Sequence, residues 1–143
     1  LGVEPFSAEF KPEVLSNFFV QKRGILKNTL LRQDLIAGIG NIYADEICHR
    51  IGLHPSSRLE QFKAGDGRRL YDAVIHCLRE GIAHNGASVS DFVGTRGTLG
   101  KHQHYLKVYG RKGDPCYGCG SIIQKTKVAG RGTFVCLKCQ VLR

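Results

Sequence analysis

Apolar residues early in the chain recur at intervals of three and four, the spacing that builds one face of a helix. Val14, Leu15, Phe18 and Phe19 form the first such stripe. Pro12 suits the first helical turn, where a missing N–H costs little, and Glu13 meets the positive end of the helix dipole. Gly24 stops this helix. A shorter helix is predicted from Ile25 to about Gln33, with Leu26, Leu30 and Leu31 inward and Lys22, Arg23, Lys27 and Arg32 outward. The run Leu35 to Tyr43 then carries Gly38-Ile39-Gly40-Asn41, a tight turn with Asn41 as N-cap of a helix that has Asp45 and Glu46 in its first turn. That helix should reach about Ile51, and Gly52 with Pro55 ends it.

Leu59 to Phe62 reads as a helical turn, broken by Gly65-Asp66-Gly67. A longer amphipathic helix is expected from about Arg68 to His84, with Leu70, Val74, Cys77, Leu78 and Ile82 on one face and Asn85-Gly86 as C-cap. Gly86 to Gly100 is rich in Gly, Ser and Thr and reads as a loop or linker. Beyond it the period changes from helical to alternating. Tyr105 to Tyr109 looks like a strand, and Ser121 to Val128 with Thr133 to Cys136 look like the arms of a hairpin with Ala129-Gly130-Arg131-Gly132 at its tip. The expected fold class is mainly α with a small β part. Three regions follow: a helical domain over 1–86, a linker over 87–104 and a β-hairpin module over 105–143.

The hairpin is bracketed by Cys116-x-x-Cys119 and Cys136-x-x-Cys139. Two such pairs supply four sulfurs for one tetrahedral zinc ion at about 2.3 Å, and four thiolates leave no position for an activated water, so the zinc would be structural. Two disulfides, or four buried thiols, are the competing readings of the same residues. Gly118 and Gly120 favour the metal, because a thiolate knuckle turns sharply. Cys48 and Cys77 fall among apolar neighbours on predicted helices and read as buried, reduced thiols.

Charge adds to this picture. The chain carries a formal +9, and residues 107–143 hold eight of its basic side chains against Asp114 alone. Lys107, Arg111, Lys112, Lys125, Lys127, Arg131, Lys138 and Arg143 form the electrostatic footprint of a polyanion binder, with a merely solvated basic face as the plainer alternative. Arg131 between two glycines can present its guanidinium for a bidentate phosphate contact. The Gly-x-Gly-Asn turn offers backbone N–H groups to a second phosphate, although such a turn is often only a turn. No apolar run approaches a membrane span and no leader pattern opens the chain, so a soluble, cytoplasmic protein is expected.

Lys27-x-x-Leu30-Leu31-x-Gln33, Gly38 to Glu46, His54-Pro55, Gln103 to Arg111, and Pro115-Cys116 through Val128-Ala129-Gly130-Arg131-Gly132-Thr133 to Gln140 stand in one order along nearly the whole chain. In that order they resemble the C-terminal half of the formamidopyrimidine-DNA glycosylases, repair enzymes for oxidised purines. The resemblance implies a helix-two-turn-helix domain and a zinc finger that together grip damaged double-stranded DNA. It implies that Gly40 and Asn41 in the turn, and Arg131 at the tip, hold phosphates around an everted nucleotide. It also implies that Arg23 and Lys27 reach DNA, and that Arg131 donates a proton in the final strand-cleaving elimination.

The family's nucleophilic N-terminal Pro, its adjacent Glu and a Lys belong to an N-terminal β-sandwich domain with no counterpart here. The expectation is therefore a fragment or natural truncation that acts as a monomer and is inactive without that partner domain. Arg32 replaces the family's usual Asp, and residues 91–102 do not resemble the family's lesion-covering loop. Endonuclease VIII enzymes, which share the architecture and act on oxidised pyrimidines, match less well at His54-Pro55 and Val128 to Thr133. A ribosomal-type nucleic-acid module and a protein-binding zinc ribbon are the non-enzymatic alternatives.

Overall fold

The computed structural model describes residues 2–20, 23–84 and 105–143. Helices α1 (Pro12–Val20), α2 (Leu26–Leu30) and α3 (Asn41–Ile51) are followed by a 3-10 turn (Leu59–Gln61) and by α4 (Ala64–Ala83). Strands β1 (Gln124–Val128) and β2 (Arg131–Val135) then pair as an antiparallel hairpin. The predicted linker over 87–104, the cap Asn85-Gly86, and Lys22 lie outside the described residues.

Leu15 and Phe19 on α1, Leu26 and Leu30 on α2, and Ile47 on α3 are wholly buried in one core with Leu70 and Val74 of α4. Helix α1 crosses α4 closely: a Cβ at Gly67 would lie 2.1 Å from Ser16 Oγ and 2.7 Å from Ser16 Cα. Gly65-Asp66-Gly67 therefore does not break the chain as expected but forms the first turn of α4. Asp66 explains the difference, because its Oδ2 accepts the Lys63 N–H at 2.8 Å and satisfies a donor that the helix leaves unpaired. Helix α3 ends on Gly52 with φ 74°, as the sequence suggests.

Asn41 is not the N-cap. Gly40 occupies that position, Asn41 is the first helical residue, and Asp45 and Glu46 fall beyond the first turn and are buried. Residues 105–109 likewise form no strand. Leu106 and Val108 are buried, and the N–H groups of Lys107, Val108 and Tyr109 donate to the Glu46 carboxylate at 2.6, 2.9 and 2.8 Å. A carboxylate takes the place of a partner strand, so alternating apolar residues were compatible with a non-strand backbone.

The hairpin tip is shorter than predicted. Val128 pairs directly with Arg131, leaving Ala129 (φ 57°) and Gly130 (φ 73°) as a two-residue turn with both residues left-handed. The end of the chain returns to the helices: His54 N–H donates to Val141 O at 2.8 Å and Val141 N–H to Gly52 O at 2.9 Å. Cys136 N–H donates to Gln140 Oε1, and the Gln140 amide donates to Leu53 O. The zinc-ribbon region thus packs on the loop after α3.

Candidate metal centre and nucleic-acid interface

The ligand atoms of Cys116, Cys119, Cys136 and Cys139 all lie within 4.8 Å of one another. Cys116 and Cys139 sulfurs are 3.8 Å apart, and those of Cys119 and Cys136 are 3.4 Å apart. Tetrahedral zinc with bonds of about 2.3 Å needs sulfurs separated by roughly 3.8 Å. Each knuckle also turns a backbone N–H onto its first sulfur, Gly118 onto Cys116 and Cys139 onto Cys136, both at 3.4 Å. These donors stabilise thiolates rather than disulfides, and the four cysteines are suited to one zinc ion. His49 Nε2 lies 3.9 Å from Cys116 Sγ. Burial, aided by Lys107 and Arg111, pushes the His49 pKa below the usual imidazole value.

Two acids of α3 tie this region to the helices. Asp45 Oδ2 accepts Phe134 N–H at 2.9 Å, and Glu46 takes the three N–H groups already described. Burial pushes the pKa of Asp45 up; the Lys27 ammonium and the Phe134 N–H offset part of that rise. The Glu46 carboxyl is pushed up by burial as well, against the pull of its three N–H donors. Neither acid was recognised as functional from the sequence. The available signal was two adjacent carboxylates in a helix whose neighbouring residues Ile42, Ala44, Ile47 and Cys48 are apolar on every side.

Lys27 departs most from expectation. The sequence places it outward, yet its side chain is fully buried. Its Nζ lies 2.8 Å from Asp45 Oδ1 and donates to Thr133 Oγ1 at 2.7 Å and to Gly132 O at 3.2 Å. An ammonium buried this deeply needs oxygen partners on every side, and the hairpin and α3 supply them.

Asn41 and Arg131 come together at the same place. Asn41 Nδ2 donates to Gly132 O at 3.2 Å, beside Lys27. Arg131 is exposed at the first position of β2, and the register places its side chain on the face of buried Thr133, opposite Lys125 and Lys127. Gly40 is exposed at the start of α3, where the first N–H groups have no helical partner. Gln33 holds the turn that leads there, its amide donating to Leu31 O and Ile39 O while its Oε1 accepts Gly38 N–H. Arg23 is exposed ahead of α2.

Lys107, Lys112, Lys125, Lys127 and Lys138 are exposed as the charge reading expects. Arg111 and Arg143 are instead engaged internally. Arg111 donates to Lys107 O and Pro115 O with its guanidinium 3.7 Å from the Tyr117 ring centre, and Arg143 pairs with Asp66 at 2.8 Å. Cys48 and Cys77 are buried and unpaired, as predicted. No helix among the described residues is long and apolar enough to cross a membrane.

Residues 1–93 match the family model described as the formamidopyrimidine-DNA glycosylase H2TH domain, and residues 113–141 match a zinc finger found in FPG and IleRS. Curated relatives include formamidopyrimidine-DNA glycosylases of Bacillus cereus, 39% identical over 140 residues, and of Geobacillus kaustophilus, 42% identical over 140 residues. In both cases 98% of this chain aligns with 51% of the relative. The chain thus spans about half the length of the curated relatives it matches. Among solved structures, Lactococcus lactis Fpg in complex with abasic-site DNA superimposes with a TM-score of 0.86 at 37% identity, over 98% of this chain and 51% of that one. The MutM (Fpg) protein of Thermus thermophilus gives 0.86 at 39% identity, over 98% and 53%. A Lactococcus lactis Fpg complex with FAPY-dG DNA gives 0.85 at 37%, over 98% and 51%.

Proposed function

Since this chain belongs to the formamidopyrimidine-DNA glycosylase H2TH family, we propose that it is the DNA-gripping half of a base-excision-repair glycosylase and abasic-site lyase for oxidised purines. The observation that carries the reading is the meeting of Asn41, the start of α3 and the hairpin tip with Arg131 through the single carbonyl of Gly132. A DNA backbone bent around a flipped nucleotide presents phosphates on both sides of the gap. A helix N-terminus and an exposed guanidinium held side by side match that pattern.

In this reading Asn41 and the first N–H groups of α3 hold one phosphate and Arg131 holds the other. Flipping a base costs a few kcal/mol, and backbone contacts of this kind offset the cost. Arg131 steadies the phosphate that leaves in the strand-cleaving elimination and donates a proton to it, regaining that proton from solvent water. Arg23 and the exposed lysines of the hairpin add sequence-independent attraction. Zinc, when bound, supplies no reacting group and folds the hairpin that carries Arg131. Attack on the sugar belongs to the half of the enzyme that this chain does not span, and one copy of each half forms the working monomer.

Competition among an abasic-analogue duplex, an intact duplex and an RNA hairpin for the zinc-loaded chain tests the reading. The abasic duplex should bind tightest. Preference for the RNA would overturn the proposal in favour of a ribosomal-type module.

A further inference from the structure

We propose that Lys27 and Asp45 form a buried positioning pair that sets the hairpin tip for phosphate capture, and that Lys27 itself touches no DNA. The inference rests on the function proposed above and concerns how its interface is built.

The Lys27 ammonium is partnered within the protein: it pairs with Asp45 Oδ1 at 2.8 Å and donates hydrogen bonds to Thr133 Oγ1 and Gly132 O. The Thr133 hydroxyl in turn donates a hydrogen bond to Arg131 O at 3.0 Å. Lys27 therefore fixes two successive carbonyls, that of Gly132 directly and that of Arg131 through one hydroxyl. Asp45 fixes the next element of the strand through Phe134 N–H, and Asn41 adds a second donor to Gly132 O. The backbone from Arg131 to Phe134 is thus held by side chains of α2 and α3. The Arg131 side chain, by contrast, makes no hydrogen bond or ion pair among the described residues. An exposed cation stands on a backbone that is heavily constrained.

Stability does not by itself account for this arrangement. A buried ion pair is often no more stabilising than apolar residues of similar volume, because desolvation cancels much of the attraction. What such a pair supplies is direction: hydrogen bonds to Gly132 O and Thr133 Oγ1 set the orientation of the tip, which apolar side chains do not specify. Phosphate capture by one guanidinium depends on that placement.

The test is the paired substitution Lys27→Met with Asp45→Asn, which removes the ion pair without leaving a charge buried alone. Affinity for an abasic-analogue duplex is measured with Arg131 present and in an Arg131→Ala background, together with zinc content. With Arg131 present the paired substitution should weaken binding about tenfold, and in the Arg131→Ala background by less than about twofold, since residues acting through one contact are not additive. Zinc content should stay at one ion per chain. Equal losses in both backgrounds, or no loss in either, would overturn the proposal. If the unaltered chain binds neither abasic nor intact duplex, the function proposed above fails, and amide hydrogen exchange then decides the positioning claim. Faster exchange at residues 131–134 with Gly118 and Cys139 unchanged supports the positioning role, and unchanged exchange at 131–134 refutes it.

Discussion

Asn41 and Gly132 are ninety-one positions apart in the chain and share one hydrogen bond, from the Asn41 amide nitrogen to the Gly132 carbonyl at 3.2 Å. The bond joins the first residue of α3 to the strand that carries Arg131. The Gly-x-Gly-Asn turn and the hairpin tip, which the sequence presents separately, are thereby joined.

Arg131→Ala should weaken DNA binding by about tenfold on any sequence and make the salt dependence shallower by roughly one unit of slope, as loss of one phosphate contact does. Zinc content should not change. Binding isotherms at several salt concentrations with a metal assay check this, and loss of the metal would mean that Arg131 serves the fold instead.

Glu46→Gln keeps the shape of the side chain but offers one acceptor oxygen where the carboxylate offers two. The N–H groups of Lys107, Val108 and Tyr109 then cannot all be satisfied. A buried donor left unpaired costs about 1–3 kcal/mol, so chemical denaturation of the zinc-loaded protein should show a loss of that order. An unchanged midpoint would mean that this attachment contributes little.

Gly67 and Gly65 provide an internal contrast. Gly67→Ala drives a methyl group to within 2.8 Å of the Ser16 backbone and should destabilise by about 1–3 kcal/mol, as overpacking does. Gly65→Ala meets open space within a helix and should raise stability by up to about 1 kcal/mol. Thermal unfolding of the two variants should move in opposite directions.

Acid should act through Asp66. Burial pushes its carboxyl up, but the Lys63 N–H, Arg143 and Arg69 together outweigh that and hold it below the ordinary aspartate value. A depressed native value means that the stabilisation is present above the unfolded-state pKa, about 3.9, and is lost as the pH falls through the lower native value. Asp66→Asn should flatten the stability profile in that window. A profile as steep as that of the unaltered protein would assign acid sensitivity to other carboxylates.

Where local chemistry decides the outcome, the sequence was legible. Pro12 starts α1, Gly52 ends α3 in the left-handed region, and the two Cys-x-x-Cys pairs converge within one ligand sphere. Legibility fails where a side chain meets a partner far along the chain. Lys27 looks like a solvent-facing residue because nothing within ten positions of it explains burial; Asp45 and Thr133 do. Tyr105 to Tyr109 alternates like a strand, yet its backbone donors are claimed by Glu46. The turn at Gly65 to Gly67 reads as a break because its two glycines are visible in sequence, while the close approach of Ser16 that Gly67 permits is not.

The most direct test of the account is a binding titration of the zinc-loaded chain against two duplexes, one intact and one with an abasic analogue, each at two salt concentrations. The account predicts binding to the intact duplex at roughly 10⁻⁴ to 10⁻⁶ M that falls steeply with salt, and tighter binding to the abasic duplex. Equal affinity for both duplexes, or binding insensitive to salt, would contradict it.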